Sequence, residues 1–589
     1  MKKTNRTFKR FAAITSASLL AACALMPAVS FADDPATYTI TITNDAKNHT
    51  YEAYQIFTGD LSVEGTAPNT TKVLSNIKWG ADVTEYDGGT VTLGSDASEI
   101  AKGLSNSNIK AFIGKLNLDD EPIKTVTSTT GGSYVINGLA PGYYLIKDAE
   151  SSLTGYDAYT SYIVEVVGDT TAEPKGTLPT VQKKVYEDQD ANKAAESATH
   201  EATTELKWND VADYDIGDEV PFKLYGTLPD NLDDYTAYYY KFSDSLGTEF
   251  DTPTQLTIDV CGSKTFTATR NGNNWTVTGE DNDGISVVKN GNGFNVIFAN
   301  IKNNGAAANG LVTITYNAKL NANAVVGKTG QKNTVDLTYS NNPYDGYDGT
   351  SSTTPNTGET PDDEVIVHTY ALKLDKEFYN RDSEIPLTPD VIANDVYTEA
   401  EFSLFKGQEE LYFLPCTDEN YDYVLAKSGD TVTIDGNEYT ATTQLKLVQL
   451  DNNTPGNEKD DNLVIRIKGL DEGSYTLKED VVPTGFNKAP DQPINIDATT
   501  ANSQQWEDGT ASLTKFEYTV GEGNDAEKET QEGNAITAEA LAIMENRQGS
   551  SLPSTGGIGT TIFYLGGGAM AAIGGIYLIS KRRMKKSEE

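Results

Sequence analysis

The chain has 589 residues, with 86 acidic and 46 basic side chains and a formal net charge of −40. Such an acidic chain repels DNA, RNA and anionic membranes, so we expect no nucleic-acid partner. It has only three cysteines, and its three histidines lie far apart in the sequence, so the composition predicts no disulfide framework, no metal site and no cofactor.

The first residues resemble a secretion signal. Basic residues among the first ten positions precede an apolar run from Phe11 to Val29, and small residues follow up to Ala32. This pattern predicts a signal peptide over residues 1–32. Cys23 leaves a lipoprotein site as an alternative, but the apolar run continues past it to a better cleavage site.

Short runs of alternating apolar and polar residues fill most of the chain, separated by Gly, Asn and Asp turns. Examples are the runs at 38–43, 311–316 and 370–374. This period of two predicts half-buried strands, and their number predicts an all-β chain of β-sandwiches. The clearest helical pattern runs from Ser95 to Leu116, with Ser95 or Asp96 as its N-cap.

Two stretches rich in Gly, Pro, Ser, Thr and Asn, at 168–180 and 340–363, divide the chain into three parts. We therefore predict three tandem Ig-like sandwiches between the signal peptide and a C-terminal sorting region. The predicted ranges are an N-terminal domain at 33–174, a middle domain at 175–345, a linker at 346–365, a C-terminal domain at 366–551 and the sorting region at 552–589.

One motif occurs twice. The stretch 138–148 reads GLAPGYYLIKD, and the stretch 469–479 reads GLDEGSYTLKE. The same turn, strand and terminal carboxylate are present in both. We infer that the N-terminal and C-terminal domains are versions of one sandwich.

The second copy of this motif continues into Pro483-Thr484-Gly485-Phe486. Tyr-x-Leu-x-Glu followed by Pro-x-Gly-aromatic resembles the E-box of Gram-positive pilins and CnaB-type domains. The resemblance implies that Glu479 lies in the core between a Lys of the first strand and an Asn of the last, and promotes an isopeptide bond between them. Burial would lower the pKa of the amine and raise that of the acid, which leaves the amine neutral and nucleophilic.

The partners of Glu479 follow from strand periodicity and position. Lys376 shares a face with Leu372 and Leu374, so we favour it over Lys373 as the inward amine. Asn546 lies on the last strand before the sorting region and is the predicted acceptor. The alternative is that Glu479 and Lys376 are ordinary surface charges.

The middle domain carries a second candidate set. Its opening stretch 179–185 and closing stretch 332–337 resemble those of the middle, CnaA-type domain of backbone pilins. The resemblance implies a bond between Lys183 and Asn333, assisted by Asp244. Lys183 alternates with Val181 and Val185 and is expected to point inward, whereas Lys184 points outward. The alternative is that these are ordinary sheet residues.

The N-terminal domain departs from this pattern. Asp148 fills the acid position, but Asn44 stands where the lysine is expected, and the closing strand offers no Asn. We therefore expect no isopeptide bond in this domain. We expect Asp148 to be a buried polar group that is satisfied by hydrogen bonds.

The last part of the chain has three elements in order. Leu552-Pro553-Ser554-Thr555-Gly556 precedes an apolar stretch from Ile558 to Ser580 that is long enough for a transmembrane helix, and a basic cluster follows. The arrangement resembles the LPxTG sorting signal of Gram-positive surface proteins. It implies that a sortase cuts between Thr555 and Gly556 and passes the Thr carbonyl to an amine; the alternative is a plain membrane anchor.

A lysine before the middle domain is the expected acceptor in polymerisation. Pro174-Lys175 resembles the end of the Val-Tyr-Pro-Lys motif of polymerised pilins, although Ala172 and Glu173 replace the first two residues. The resemblance implies that Lys175 links subunits, with Lys184 as second choice. The alternative is a solvated linker lysine.

Taken over essentially the whole chain, the resemblance is to the backbone (major) subunit of a sortase-assembled pilus. It implies a structural protein, not an enzyme, that is secreted and anchored in the cell wall. Implied partners are a pilus-specific sortase, a housekeeping sortase with peptidoglycan, further copies of the chain and minor pilins. The alternative function is a monomeric wall-anchored adhesin that binds a host protein or glycan.

Overall fold

The structure is a computed structural model. It describes residues 37–45, 47–66, 69–105, 108–149, 152–153, 155, 157–173, 177–187, 208–387, 399–447, 463–500, 510–523 and 526–549. The predicted signal peptide, Lys175 and the sorting region from Leu552 onward lie outside these residues. Within them, none of the helices is both long and apolar enough to cross a membrane.

Strands dominate the described residues, and the prediction of an all-β fold is confirmed. The elements of the N-terminal segment, residues 37–173, are β1 Tyr38–Ile42, β2 Thr50–Thr66, β3 Asn69–Trp79, β4 Val83–Tyr86, β5 Gly89–Thr90, α1 Ser98–Gly103, α2 Ile109–Ile113, β6 Leu116–Leu118, β7 Lys124–Thr127, β8 Tyr134–Leu139, β9 Gly142–Asp148, β10 Ser161–Val166 and β11 Thr170–Ala172.

The middle segment, residues 177–368, continues the same alternation of strands and turns. Its elements are β12 Val181–Tyr186, β13 Trp208–Asn209, β14 Val211–Asp213, β15 Glu219–Thr227, β16 Tyr240–Leu246, β17 Gln255–Val260, β18 Lys264–Asn271, β19 Asn274–Thr278, β20 Ile285–Asn290, β21 Gly293–Phe298, β22 Leu311–Lys319, β23 Gln331–Ser340, β24 Thr357–Glu359 and β25 Asp363–His368, with 3-10 turns at Leu232–Asp234 and Ile301–Asn304.

The C-terminal segment, residues 370–549, is also built from strands. Its elements are β26 Tyr370–Tyr379, β27 Glu401–Lys406, β28 Glu409–Glu410, β29 Tyr412–Pro415, β30 Tyr423–Ala426, β31 Thr431–Ile434, β32 Asn437–Thr440, β33 Leu445–Lys446, β34 Leu463–Leu470, β35 Gly473–Val481, β36 Gln492–Thr500, β37 Leu513–Val520, β38 Glu527–Glu532 and β39 Glu539–Arg547, with a 3-10 turn at Gly533–Ala535.

Each segment contains two principal sheets. In the N-terminal segment their orders are β11-β1-β8 and β10-β9-β2-β3, with β7 also paired to β2. In the middle segment they are β13-β12-β15-β22-β17-β18-β19 and β14-β25-β23-β16-β21-β20, with β24 on β23. In the C-terminal segment they are β29-β30-β34-β26-β39 and β28-β27-β35-β36-β37-β38, with β33 on β27.

The chain divides into two compact units. The described residues up to Asp210, with Val220–Ala318 and Lys332–Val365, form one. The other consists of Val211–Glu219, Lys319–Gln331 and the described residues from Ile366 onward. Within the range predicted as a linker, 346–365, the structure has β24 and the first residues of β25. The predicted domain boundaries stay predictions.

The prediction of one long helix from Ser95 to Leu116 is wrong. The structure has two short helices, α1 and α2, with Leu104 in an extended conformation between them. Asn108 interrupts the helix, because its side chain accepts from Ser105 N at 2.7 Å and donates to Gly103 O at 2.7 Å. Such local side-chain bonds compete with helical ones. The N-cap position of α1 is Ala97, although Asp96 accepts a bond from Ser98 N at 2.9 Å.

The repeated motif adopts the same local structure in both copies. Gly138 and Gly469 have positive φ angles of 75° and 103°, a region that glycine enters without steric cost. Each is followed by a strand whose tyrosine donates to the carbonyl four residues earlier: Tyr144 to Ala140 at 2.9 Å, and Tyr475 to Asp471 at 2.7 Å. The motif therefore brings a carboxylate to an equivalent place in two sandwiches.

Candidate functional site

The first candidate site lies in the middle segment and is called the middle site: Lys183, Asp244, Tyr316 and Asn333. All four side chains are buried, and Lys183, Asp244 and Asn333 have no exposed surface. Lys183 and Tyr316 come from one sheet, on β12 and β22, whereas Asp244 and Asn333 come from the other, on β16 and β23. The inward alternation predicted for Lys183 is what places its amine between the two sheets.

Strand register brings the acid and the amide together. β16 and β23 are antiparallel neighbours, with Leu246 opposite Asn333 and Asp244 opposite Val335. Lys183 Nζ lies 2.5 Å from Asp244 Oδ2 and also donates to Asn333 Oδ1. The structure thus brings the three predicted residues into direct contact.

Tyr316 is a member of this site that the sequence analysis missed. Its hydroxyl donates to Asp244 Oδ2 at 2.9 Å and accepts from Asn333 Nδ2 at 2.9 Å. Its ring stacks on Phe222 with centroids 5.3 Å apart and meets the edge of Phe294 at 5.0 Å. The sequence signal was present, since Tyr316 belongs to the alternating run 311–316, but nothing in that run distinguishes it from a core aromatic.

The protonation of the middle site follows from burial. Desolvation lowers the pKa of Lys183 to about 8, against the opposing pull of Asp244. Desolvation also raises the pKa of Asp244, against Lys183. Both shifts favour a neutral amine beside a neutral acid, because neither charge is solvated there.

The second candidate site, the C-terminal site, consists of Lys376, Glu479 and Asn546. β26 and β39, the first and last described strands of the C-terminal segment, pair in parallel and place Lys376 opposite Met544. Asn546 is two residues further along β39 and so points to the same side. All three side chains are buried, and Glu479 and Asn546 have no exposed surface.

Glu479 joins the other two residues. Its Oε1 lies 3.6 Å from Lys376 Nζ, and its Oε2 accepts from Asn546 Nδ2 at 3.0 Å. Lys376 Nζ also donates to Met544 O at 3.0 Å. Desolvation lowers the pKa of Lys376 to about 8, with Glu479 opposing the shift. The rejected candidate, Lys373, is partly exposed instead, and its Nζ lies 3.9 Å from Asp375 Oδ2.

The turn after Glu479 holds this site in place. Ala489 N donates to Glu479 Oε2 at 2.8 Å, and Asn487 O accepts from Asn546 Nδ2 at 2.6 Å. Phe486, the aromatic residue of the E-box pattern, packs against Phe378 with ring centroids 4.9 Å apart. The residues that follow the Pro-x-Gly-aromatic motif, Asn487 and Ala489, therefore position the amide and the acid.

The N-terminal segment has a different buried cluster, the N-terminal site: His49, Asp148 and Asp157. His49 Nδ1 lies 2.8 Å from Asp148 Oδ1, and Nε2 lies 3.0 Å from Asp157 Oδ1. Asp148 also accepts from Thr160 N at 2.7 Å and Thr160 Oγ1 at 2.8 Å. Burial lowers the pKa of His49, but its bonds to the two carboxylates outweigh burial and raise that pKa to about 9. The sequence analysis missed His49.

The expectation that Lys184 points to solvent is wrong. Lys184 does lie on the opposite side of β12 from Lys183, but its amine is buried in an ion pair with Asp210, next to β13. A buried, paired amine is a poor acceptor for an enzyme-bound acyl group. Lys175, Leu552, Pro553, Thr555 and Gly556 lie outside the described residues.

The middle and C-terminal sites each combine an amine, a side-chain amide and an acid without bulk water. That set suits acyl transfer from Asn to Lys. Over the described ranges, His, Cys, Asp and Glu side chains form no group arranged to hold a metal ion.

Residues 545–588 match the family model of the LPXTG cell wall anchor motif. Comparison with curated proteins finds no match.

Solved pilin structures are similar to the chain. The T6 backbone pilin of serotype M6 Streptococcus pyogenes is 18% identical, with 88% of this chain and 100% of that chain covered and a TM-score of 0.45. The major pilin SpaD of Corynebacterium diphtheriae is 15% identical, with 88% and 99% covered and a TM-score of 0.39. The major pilin RrgB of Streptococcus pneumoniae is 12% identical, with 88% and 100% covered and a TM-score of 0.34.

The anchor match has direct consequences for processing and location. An LPXTG motif implies cleavage by a sortase and attachment to the cell wall. The chain therefore carries the anchor of a cell-wall-attached surface protein.

Proposed function

We propose that this chain is the backbone subunit of a covalently polymerised surface pilus, a structural protein whose strands are clamped by internal Lys–Asn isopeptide bonds. The observation that carries the proposal is the pair of buried amine, amide and acid sets at Lys183 and Lys376, in a chain that also has an LPXTG anchor. Burying a lysine amine lowers the stability of the folded chain. Two buried sets of amine, amide and acid therefore indicate a role beyond packing.

The internal reaction is an exchange of amides. In the C-terminal site, the neutral Lys376 Nζ attacks Asn546 Cγ, and Glu479 takes a proton from that nitrogen. The bond from Cγ to Nδ2 then breaks, Nδ2 receives a proton, and it leaves as ammonia. The product is one amide bond, with Glu479 returned to its starting state. Lys183 and Asn333 have the same roles in the middle site, where Asp244 starts as the neutral acid and gives up its own proton as it takes one from Lys183.

Such bonds suit a shaft that bears load without disulfides. Cys261 and Cys416 are both free, so the described residues contain no disulfide. In the C-terminal site the bond would join β26 to β39, and in the middle site it would join β12 to β23. Each bond would connect strands that are distant in the sequence, which limits how far a pulled domain can extend.

Assembly requires a second, intermolecular amide. We propose that a pilus-specific sortase holds the chain through Thr555 and transfers it to Lys175 of the next subunit, and that a housekeeping sortase attaches the finished polymer to peptidoglycan. Minor pilins are further expected partners. The burial of Lys184 against Asp210 supports the choice of Lys175, since sortase needs an accessible amine.

Expression of the full chain with its cognate sortase tests this function. Wall extracts boiled in detergent should give a ladder of high-mass species in the wild type. Lys175→Arg should leave monomer only, because the guanidinium does not deprotonate for attack. Lys124→Arg, at an exposed lysine on β7, is the matched control and should keep the ladder. A wild type that yields only wall-attached monomer would contradict the pilus and favour the adhesin.

A further inference from the structure

The hydroxyl of Tyr316 lies between the acid and the leaving group of the proposed middle-site reaction. It is 2.9 Å from Asp244 Oδ2 and 2.9 Å from Asn333 Nδ2. Asp244 Oδ2 is also the atom that contacts Lys183 Nζ. A continuous path of hydrogen-bonding atoms therefore runs from the attacking nitrogen, through the acid and the phenol, to the nitrogen that must leave.

The C-terminal site has no need of such a bridge. There, Asn546 Nδ2 contacts Glu479 Oε2 directly at 3.0 Å, while the other oxygen of the same carboxylate faces Lys376. One carboxylate can thus take the proton from the amine and give it to the leaving group. In the middle site the shorter Asp side chain occupies the acid position, and the Tyr316 hydroxyl occupies the position next to the leaving nitrogen.

We propose that Tyr316 is a catalytic residue of the middle site, where its hydroxyl carries the proton from Asp244 to the departing Nδ2 of Asn333. This inference rests on the proposed isopeptide reaction. It extends that reaction by a fourth residue and predicts that the two sites use different proton paths.

The proton balance is as follows. Asp244 begins as the neutral acid, and as Lys183 Nζ bonds to Asn333 Cγ, Asp244 releases its own proton to the Tyr316 hydroxyl and takes one from Nζ in return. As the bond from Cγ to Nδ2 breaks, the Tyr316 hydroxyl gives its original proton to Nδ2 and keeps the one from Asp244. Ammonia leaves, and both Tyr316 and Asp244 end in their starting protonation states. No other reactant is required.

The surroundings keep the phenol in the form that this role requires. Tyr316 is buried beside Phe222 and Phe294, and the amine of Lys183 lies 5.8 Å from the Tyr316 ring centroid. Desolvation raises the pKa of Tyr316 well above its ordinary value, with Asp244 adding to the shift. The hydroxyl therefore keeps its proton until a strong base forms beside it. That base is Nδ2 of Asn333 once Lys183 has attacked and the amide carbon has become tetrahedral.

Tyr316→Phe tests the role because it removes the hydroxyl and keeps the ring that packs on Phe222. The matched control is Tyr240→Phe, which also deletes a buried hydroxyl, one that donates to Thr227 O at 2.9 Å away from the site. The mature chain is purified, incubated and sampled over time. Mass spectrometry of its peptides then follows the Lys183–Asn333 cross-link.

We expect the wild type and Tyr240→Phe to be fully linked at the first time point, and Tyr316→Phe to form the link about 10²-fold more slowly or worse. The Lys376–Asn546 link should form normally in all three proteins, and circular dichroism and limited proteolysis of the middle segment report that each variant folds there. A Tyr316→Phe link at the wild-type rate would overturn the inference and leave the proposed function intact. A wild type without the link would instead contradict the proposed function.

A second variant separates proton transfer from simple positioning. Replacement of Tyr316 by a difluorotyrosine retains the ring and both hydrogen bonds but lowers the pKa of the phenol. Introduced under conditions where the reaction is slow enough to follow, it should change the rate several-fold, because proton donation depends on acidity. An unchanged rate would show that the hydroxyl only holds the amide, and would contradict the catalytic role.

Discussion

The N-terminal and C-terminal sandwiches place a fully buried carboxylate at the same point of the same motif and stabilise it differently. Asp148 pairs with His49 and accepts two hydrogen bonds from Thr160. Glu479 instead contacts the amine of Lys376 and accepts a hydrogen bond from Asn546. The backbone around them is alike, down to the tyrosine that closes the turn. The difference therefore lies in which side chains the neighbouring strands supply.

The repeated motif supplies the buried carboxylate in both sandwiches. It does not supply the amine and the amide that the proposed isopeptide reaction also needs. In the C-terminal site the amine has a lowered pKa and an amide beside the acid, so a covalent bond can form. In the N-terminal site the imidazole has a raised pKa and stays charged, so its link to Asp148 is ionic and reversible. The two ends of the chain should respond differently to mutation and to pH.

The largest effect should follow loss of the C-terminal amine. Lys376→Met removes the bond between β26 and β39. By analogy with a disulfide that closes a long loop, we expect about 5 kcal/mol less stability and rapid proteolysis of this segment. Differential scanning calorimetry and limited proteolysis measure the change. Lys373→Met on the same strand is the control and should lose little, since the Lys373 side chain is partly exposed to solvent. Equal losses in the two variants would contradict the covalent clamp.

A smaller loss should follow removal of the N-terminal imidazole. His49→Gln takes the positive charge from two buried carboxylates, and breaking a buried pair in this way costs about 3 kcal/mol. Hydrogen exchange of the β1, β2 and β9 amides should accelerate, while the mass of the chain changes only by the substitution itself. Lys47→Gln, at a neighbouring exposed position, is the control. Unchanged exchange in His49→Gln would show that the cluster does not hold these strands.

Alkaline pH should weaken the N-terminal site. Because the pKa of His49 is raised to about 9 from an ordinary value of 6.5, its contribution is complete below about 6.5 and is lost as the pH rises through about 9. Hydrogen exchange or local proteolysis of the N-terminal segment between pH 6 and 10 should show this loss, and His49→Gln should abolish the dependence. If the pH dependence persists in His49→Gln, it belongs to another titrating group.

The second compact unit should show a modest loss of stability in acid. His368 is buried, with Nε2 2.9 Å from Ser512 Oγ, and desolvation lowers its pKa to about 4. A lowered histidine pKa means that the unfolded chain binds the proton first, so stability falls as the pH drops from about 6.5 through 4. The midpoint of thermal unfolding measures this, and His368→Gln should flatten the curve. A wild-type curve that is already flat over this range would contradict the assignment.

Much of the fold and of the middle and C-terminal sites could be predicted from the sequence. Alternation of side chains identified the strands and selected Lys183 over Lys184 and Lys376 over Lys373 for the interior. The E-box identified Glu479 together with the turn that orients it. These features are local, and local periodicity is what a single sequence records best.

The remainder depends on contacts between distant strands. Tyr316 and His49 each belong to a cluster whose members are far apart in the sequence, and neither has a distinctive neighbour pattern. The burial of Lys184 depends on Asp210, which lies 26 residues further along the chain. The helix around Ser95 was mispredicted because the bonds of the Asn108 side chain outweigh a weak apolar periodicity.

The central claim is that the middle and C-terminal sites form covalent bonds and the N-terminal site does not. High-resolution intact mass of the denatured mature chain tests it most directly. We predict a mass below that of the sequence by two ammonia molecules, about 17 Da each, with one restored in Lys376→Met after allowance for the substitution. Mass spectrometry of peptides should locate the two losses of ammonia at cross-links between Lys183 and Asn333 and between Lys376 and Asn546. A wild-type mass equal to that of the unmodified sequence would contradict the account.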